Sequence, residues 1–192
     1  MDTTPPATTD HTDSASADRD DQLPGERRYL LEALAAHRGF LVRTADGLSE
    51  EQARLRPTVS ALSIGGIVKH VADTEQSWAR FMVDGSGLGG GDVDWSEPDP
   101  AAIAAYAAGF ALGDDETLAG ELQRYASVAA ATDQLVRTLP DLDRSFPLPP
   151  APWFAPGAVR SVRRAIVHVI AETSQHAGHA DIIRESIDGA RT

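Results

Sequence analysis

Cysteine is absent from the 192 residues. Its absence excludes a disulfide framework, a thiolate metal site and a cysteine nucleophile. Lysine is nearly absent as well: of 17 basic residues all but Lys69 are arginine, and 29 acidic residues bring the formal net charge to −12. So acidic a chain lacks the clustered Lys/Arg that nucleic acids and anionic membranes require of a main partner. No run of about 18 apolar residues occurs, so no membrane span is expected. The N-terminus has no basic stretch followed by an apolar one, so no signal peptide is expected either, and the cytoplasm is the expected location.

What is present is helical patterning. Residues 1–22, MDTTPPATTDHTDSASADRDDQ, have no apolar periodicity and are expected to be a disordered acidic tail. Residues 23–192 are expected to form one domain. A first helix is expected over Pro24–Ala45, with Leu30, Leu31, Leu34, Leu41 and Val42 as its stripe and Pro24 in its first turn. Ser49 and Gln52 fit a capping box opening a short helix that Pro57 ends. Ser63 caps a long helix reaching Asp84-Gly85, whose apolar arc holds Ile64, Ile67, Val68, Val71, Trp78, Phe81 and Met82. A short helix over Pro98–Ala108, a long one over Asp115–Leu139 and a last one over Val159–Ile187 complete the set. With no convincing strand, the fold class is all-α: a four-helix bundle with one or two short extra helices.

Two segments between helices invite sharper interpretations. Gly85, Gly87 and Gly90 match G-x-G-x-x-G, but a helix precedes them where a dinucleotide site needs a strand, so they are assigned to a loop. SFPLPPAPWFAPG is too rich in proline for regular structure. Trp153 and Phe154 within it are expected to pack on a bundle end or line a pocket.

The chemistry lies in HVIAETSQHAGHADIIRE, His168 to Glu185. With Glu172 at zero and ~100° per residue, His168 falls at about 320°, His179 at about 340° and His176 at about 40°. These side chains border the apolar arc of Val162, Ala165, Ile166, Val169 and Ile170, so they face the interior or a pocket at its edge. One ion cannot use all four, because His168 and His179 lie about 16 Å apart along the axis. The usable pairs are His168–Glu172, Glu172–His176 and His176–His179, and a third ligand must come from another helix. His70 stands at the edge of an apolar arc on a long helix. Two histidines and a carboxylate would hold a divalent ion with positions left open, as catalytic sites do. His168 also fits the role of a rim histidine, and His179 could support the site without touching metal. His37 is expected to be exposed and His11 inert in the tail. Glu75 and Arg184 both fall inside apolar arcs, which predicts an ion pair between the second and fourth long helices.

Three stretches together resemble the DinB-like superfamily, in particular the branch of mycothiol-dependent maleylpyruvate isomerase and mycothiol S-transferases. They are ERRYLLEALAAHRGFLVRTADGLSEEQARLRP, SALSIGGIVKHVADTEQSWARFMVDG and VHVIAETSQHAGHADIIRESIDG, spanning roughly residues 25–189. The resemblance implies a four-helix bundle whose metal triad takes one histidine from the second long helix and two ligands four residues apart from the fourth. Carried onto this chain, those ligands are His70, Glu172 and His176, which leaves His168 and His179 as candidates for the supporting places the stripe allows them. The isomerase has an additional C-terminal domain that these residues do not include, so the resemblance favours a thiol transferase.

The implied activity is divalent-metal-dependent S-transfer from mycothiol to a small electrophile, which suits a chain without cysteine. Zn²⁺ suits the donor set, and Ni²⁺, Fe²⁺ or Mn²⁺ are compatible with it. The implied partners are a small-molecule thiol and an electrophile, not nucleic acid or membrane, and a homodimer is compatible with the sequence. Two other readings stay open: a metal-binding bundle without turnover, such as a stress or accessory protein, and a metal-activated hydrolase.

Overall fold

The computed structural model describes residues 23–88, 93, 95 and 97–191. The expected tail and Gly90 lie outside them. The described chain is a bundle of four long helices, α1 (Gly25–Thr44), α3 (Ile64–Asp84), α5 (Leu118–Thr138) and α6 (Val162–Asp188), with short helices α2 (Glu50–Arg54) and α4 (Pro100–Ala108). Going round the bundle, α6 packs between α1 and α3, and α5 packs against α3 and α1.

Local sequence sets the boundaries. Ser49 and Gln52 form the expected capping box of α2, and Ser63 caps α3 by accepting from the Gly66 amide. Thr117 and Ser161 cap α5 and α6 in the same manner. Such caps contribute about 1 kcal/mol each. Gly85 and Gly189 end α3 and α6 at φ 84° and 77°, a left-handed conformation that costs glycine little.

The apolar interior is divided in two. One cluster, with Leu41, Ile64, Ile67, Val71, Tyr125, Ala180 and Ile183, fills one end. The other, with Leu34, Trp78, Phe81, Met82, Val136, Ile166 and Val169, fills the other. Between them, on all four long helices, lies a belt of buried polar residues: Arg38, Glu75, Thr132, Thr173 and His176. The belt is closed by charge. Glu75 accepts two hydrogen bonds from Arg38, one of them 3.2 Å from Nε, and Arg38 Nη1 reaches Asp133 Oδ1 at 2.7 Å. Burial alone would lower the Arg38 pKa, but the Glu75 carboxylate, with Asp133 behind it, raises it.

Several expectations need correction. Glu75 does not pair with Arg184: its partner is Arg38 on α1. Arg184 instead binds Asp188, one turn along α6, and the carbonyls of Thr44 and Asp46 at 2.9 and 2.7 Å. It ties α6 to the end of α1, where the orphan carbonyls of a helix terminus need donors. The last helix starts at Val162, because Val159–Ser161 is a strand (β2) pairing antiparallel with Ser145–Pro147 (β1). Regular structure therefore enters the edge of the proline-rich segment, where Pro147 is the last residue of a two-stranded ribbon that has no interior position. The first helix starts one residue after Pro24, which is its cap, and the fifth starts at Leu118 rather than Asp115.

One contact positions the site. A Cβ on Gly66 would overlap the carbonyl of Phe110, so α3 approaches the α4–α5 connection backbone to backbone. That connection is pinned by the chain's single lysine: Lys69 Nζ lies 2.7 Å from Glu116 Oε2 and donates to the Ala111 carbonyl. Arg54 donates to the Leu112 carbonyl from the other side.

Candidate metal centre

His70 projects from α3 toward the α6 residues Glu172 and His176, which stand four positions apart on one face. One donor atom from each of the three lies within 4.8 Å of the others. The His70 and His176 rings meet edge to face, 4.8 Å between centres. Glu172 sits between two histidines of its own helix, with Oε1 3.6 Å from His168 Nε2 and Oε2 3.5 Å from His176 Nε2. The alternatives left open by the helical wheel are thereby narrowed: the cross-helix cluster contains His176 rather than His168.

The electrostatics prepare His70 as a lone-pair donor. Burial, then the neighbouring His176, pushes the His70 pKa down to about 4, against the opposing pull of Glu172 and Asp73. The Phe110 ring stacks flat on His70 at 4.0 Å, which shields one face from water. The His176 imidazole lowers the Glu172 carboxyl, with His168 and His70 adding to it against the effect of burial. Glu172 is therefore an anion beside a neutral His70 at neutral pH. Asp73, one turn from His70, is committed elsewhere, 2.9 Å from Arg124.

The residues fit a divalent ion. The donor set is two imidazoles and one carboxylate, a recognised catalytic combination. Bonds of about 2.1 Å place two ligands at most about 4.2 Å apart, so small side-chain rotations close the cluster on an ion. His176, 9% exposed, has a buried Nδ1 with no partner among the described residues. Its Nε2 is the nitrogen that faces Glu172, so the orphaned Nδ1 lies on the other side of the ring and calls for a hydrogen-bond partner of its own.

The other histidines fall around this point. His168 packs edge-on against Trp78 at 4.7 Å and touches only the Glu172 carboxylate within the cluster. His179 packs edge-on against His176 at 5.5 Å, and its Nδ1 is also buried without a partner. His37 is half-buried on α1 and lines a different, shallow depression with Phe40 and Asp181. His11 lies outside the described residues.

A cavity of about 720 Å³ opens onto His70 and Glu172. Its walls include Trp78, Trp95, Tyr106, Trp153 and Phe154, so the two aromatic residues of the proline-rich loop do line a pocket. Trp95, Tyr106, Phe110 and Arg160 carried no signal in the sequence. Trp95 and Phe110 come from connections, Arg160 from a three-residue strand and Tyr106 from a short alanine-rich helix with no buried face, where no periodicity marks a side.

A family model described as mycothiol-S-transferase matches residues 29–189. The chain belongs to the mycothiol S-transferase family. It is the branch that the motifs around His70 and Glu172 resemble. Among solved structures, a conserved protein from Enterococcus faecalis superposes with a TM-score of 0.58 at 15% identity, over 85% of this chain and 97% of that one. Likeness at that identity concerns the fold alone. No curated protein matches the sequence. No described helix is long and apolar enough to cross a membrane.

Proposed function

We propose that the protein is a divalent-metal-dependent S-transferase that joins mycothiol to a small electrophile. The observation that carries this reading is the meeting of His70, Glu172 and His176 at one end of an open cavity. Family membership supports the thiol, and a chain without cysteine has no thiol of its own to offer.

In this reading His70, Glu172 and His176 are the ligands, leaving an ion of formal charge near +1 with positions open toward the cavity. A divalent ion so held, Zn²⁺ by preference for nitrogen and oxygen donors, would lower the pKa of a thiol as it does that of bound water. Ni²⁺, Fe²⁺ and Mn²⁺ accept the same donors. His168 holds the Glu172 carboxylate from the side away from His176, and His179 backs the His176 ring. Phe110 keeps water off His70, and the aromatic walls keep it from the reacting carbon.

The reaction is a nucleophilic displacement or addition. The thiol proton leaves to solvent, and the sulfur lone pair forms the new S–C bond. With an epoxide the C–O bond breaks and its oxygen takes a proton. With an activated halide the halide departs as the anion. With an α,β-unsaturated carbonyl the α-carbon takes the proton.

The test is metal analysis of the purified chain, then conjugation of mycothiol to 1-chloro-2,4-dinitrobenzene and a panel of epoxides and enals. Bound metal with thiol-dependent turnover supports the proposal. Bound metal without turnover across the panel would instead identify a metal-binding bundle, and hydrolysis without thiol a hydrolase.

A further inference from the structure

Arg160 differs from the other inward-reaching arginines of this chain. Arg38 and Arg124 each contact carboxylates, Arg27 contacts carbonyls at the end of α5, and Arg54 contacts carbonyls of the α4–α5 connection. Arg160, in β2, has neither among the described residues. Its guanidinium lies over the Trp78 ring at 5.0 Å and the Phe154 ring at 5.5 Å, and its buried Nη1 has no hydrogen-bond partner among them. The charge next to it has the same sign: Arg164, in the first turn of α6, lines the same cavity wall. Burial, then Arg164, lowers the Arg160 pKa. The carboxylates of that cavity are engaged elsewhere, Asp73 by Arg124 and Glu172 by the histidines of α6, so in a protein of net charge −12 two adjacent cations with no carboxylate partner among the described residues are an unmet demand for an anion.

The position relative to the candidate metal centre is defined by ring contacts. Arg160 lies over Trp78, Trp78 packs on His168, and His168 lies 3.6 Å from Glu172. Arg160 and Glu172 thus line one cavity, linked through Trp78 and His168. Flat apolar surface, from Trp78, Tyr106 and Trp153, lines the cavity between its two ends.

We infer that the electrophile taken by this cavity is an organic carboxylate, with its carboxylate held by Arg160 and Arg164, its flat apolar body among the aromatic walls, and its reacting carbon at the His70–Glu172 end. The inference rests on the S-transfer reading above. Mycothiol has no carboxylate, so the anion belongs to the electrophile. A planar guanidinium with a free edge suits a carboxylate, which it binds through two parallel N–H···O bonds.

The probe is trans-cinnamate against its neutral isostere cinnamamide, with affinities read from quenching of tryptophan fluorescence in the full-length chain, both Zn²⁺-loaded and chelated. The acid is expected to bind about tenfold more tightly than the amide in both forms, the equivalent of about 1.4 kcal/mol. Arg160→Gln should abolish that preference, Arg160→Lys should keep part of it, and Arg28→Gln, which pairs with Glu32 and does not line the cavity, should leave it unchanged. If Arg160→Gln fails to fold, Arg164→Gln carries the test and should reduce the preference. Equal binding of acid and amide would overturn the inference. So would a preference that survives both Arg160→Gln and Arg164→Gln, or one present only with Zn²⁺ and indifferent to Arg160, since the carboxylate would then sit on the ion. An arginine-dependent preference in a chain that takes up no metal and conjugates no thiol would uphold the subsite and sink the S-transferase reading instead.

Discussion

His70 and Glu75 stand little more than a turn apart on α3, and each meets titratable partners from another helix, yet the two clusters differ in every respect that separates structure from chemistry. Around Glu75 the charges are matched: a buried guanidinium forks onto one carboxylate and reaches a second. Glu75 is 1% exposed, and none of Arg38, Glu75 and Asp133 lines the cavity at His70. Around His70 the donors converge with no cationic side chain among them, one buried ring nitrogen is orphaned, and a cavity opens on the cluster. A polar cluster whose members satisfy one another sets helix register. A polar cluster whose members are all metal-ligand types, converging beside a cavity, has the composition of a ligand site.

The largest effect should come from opening the closed cluster. Glu75→Ala leaves the Arg38 charge buried beside Asp133 alone, and denaturant unfolding should show a loss of about 3–5 kcal/mol. Replacing both partners, Arg38→Met with Glu75→Leu, should recover most of that loss. A Glu75→Ala protein as stable as the parent would mean that the two clusters are not distinguished by charge matching.

Removing metal should cost less. The two apolar clusters suffice to keep the chain folded, so the chelated protein should remain helical by circular dichroism and melt earlier. With free Zn²⁺ at a hundred times its dissociation constant the difference should be about 2.7 kcal/mol. Chelation that unfolds the chain outright would make the open cluster a structural staple, and the contrast with Glu75 would collapse.

Gly66→Ala tests how the open cluster is positioned. The added methyl meets the Phe110 carbonyl, so the connection that stacks on His70 must shift. We expect a loss of about 1–3 kcal/mol from overpacking, together with weaker metal binding. Unchanged metal affinity would show that Phe110 does not hold the His70 ring. The smallest effects belong to the flanks. Glu172→Gln should weaken metal binding without abolishing it, because an amide oxygen is a neutral, poorer ligand. His168→Ala should leave metal content intact, and stripping of the metal by that change would move the ligand pair one turn down α6.

Much of this was legible in the sequence. Ser49, Ser63 and Gly85 mark helix ends by chemistry that acts within four residues, and the leucine and valine stripes mark buried faces. The His168–His179 stripe was visible for the same reason, since one helix fixes all four positions. What a helical wheel cannot supply is which face of which helix stands opposite. Glu75 was recognised as a charge inside an apolar arc, but its partner was assigned to α6 when it lies on α1. The choice of His176 over His168 likewise came from the family pattern. The β1–β2 ribbon was missed because three residues per strand show no alternation. With it went Arg160, which a helix starting at Val159 would have placed on a helical surface.

The most direct test of the central claim is the metal content of the purified full-length chain and its His70→Ala and His176→Ala variants, by elemental analysis after equilibration with Zn²⁺. The account predicts stoichiometric metal in the parent and essentially none in either variant, with all three proteins still helical. Full metal content retained by either variant would contradict it.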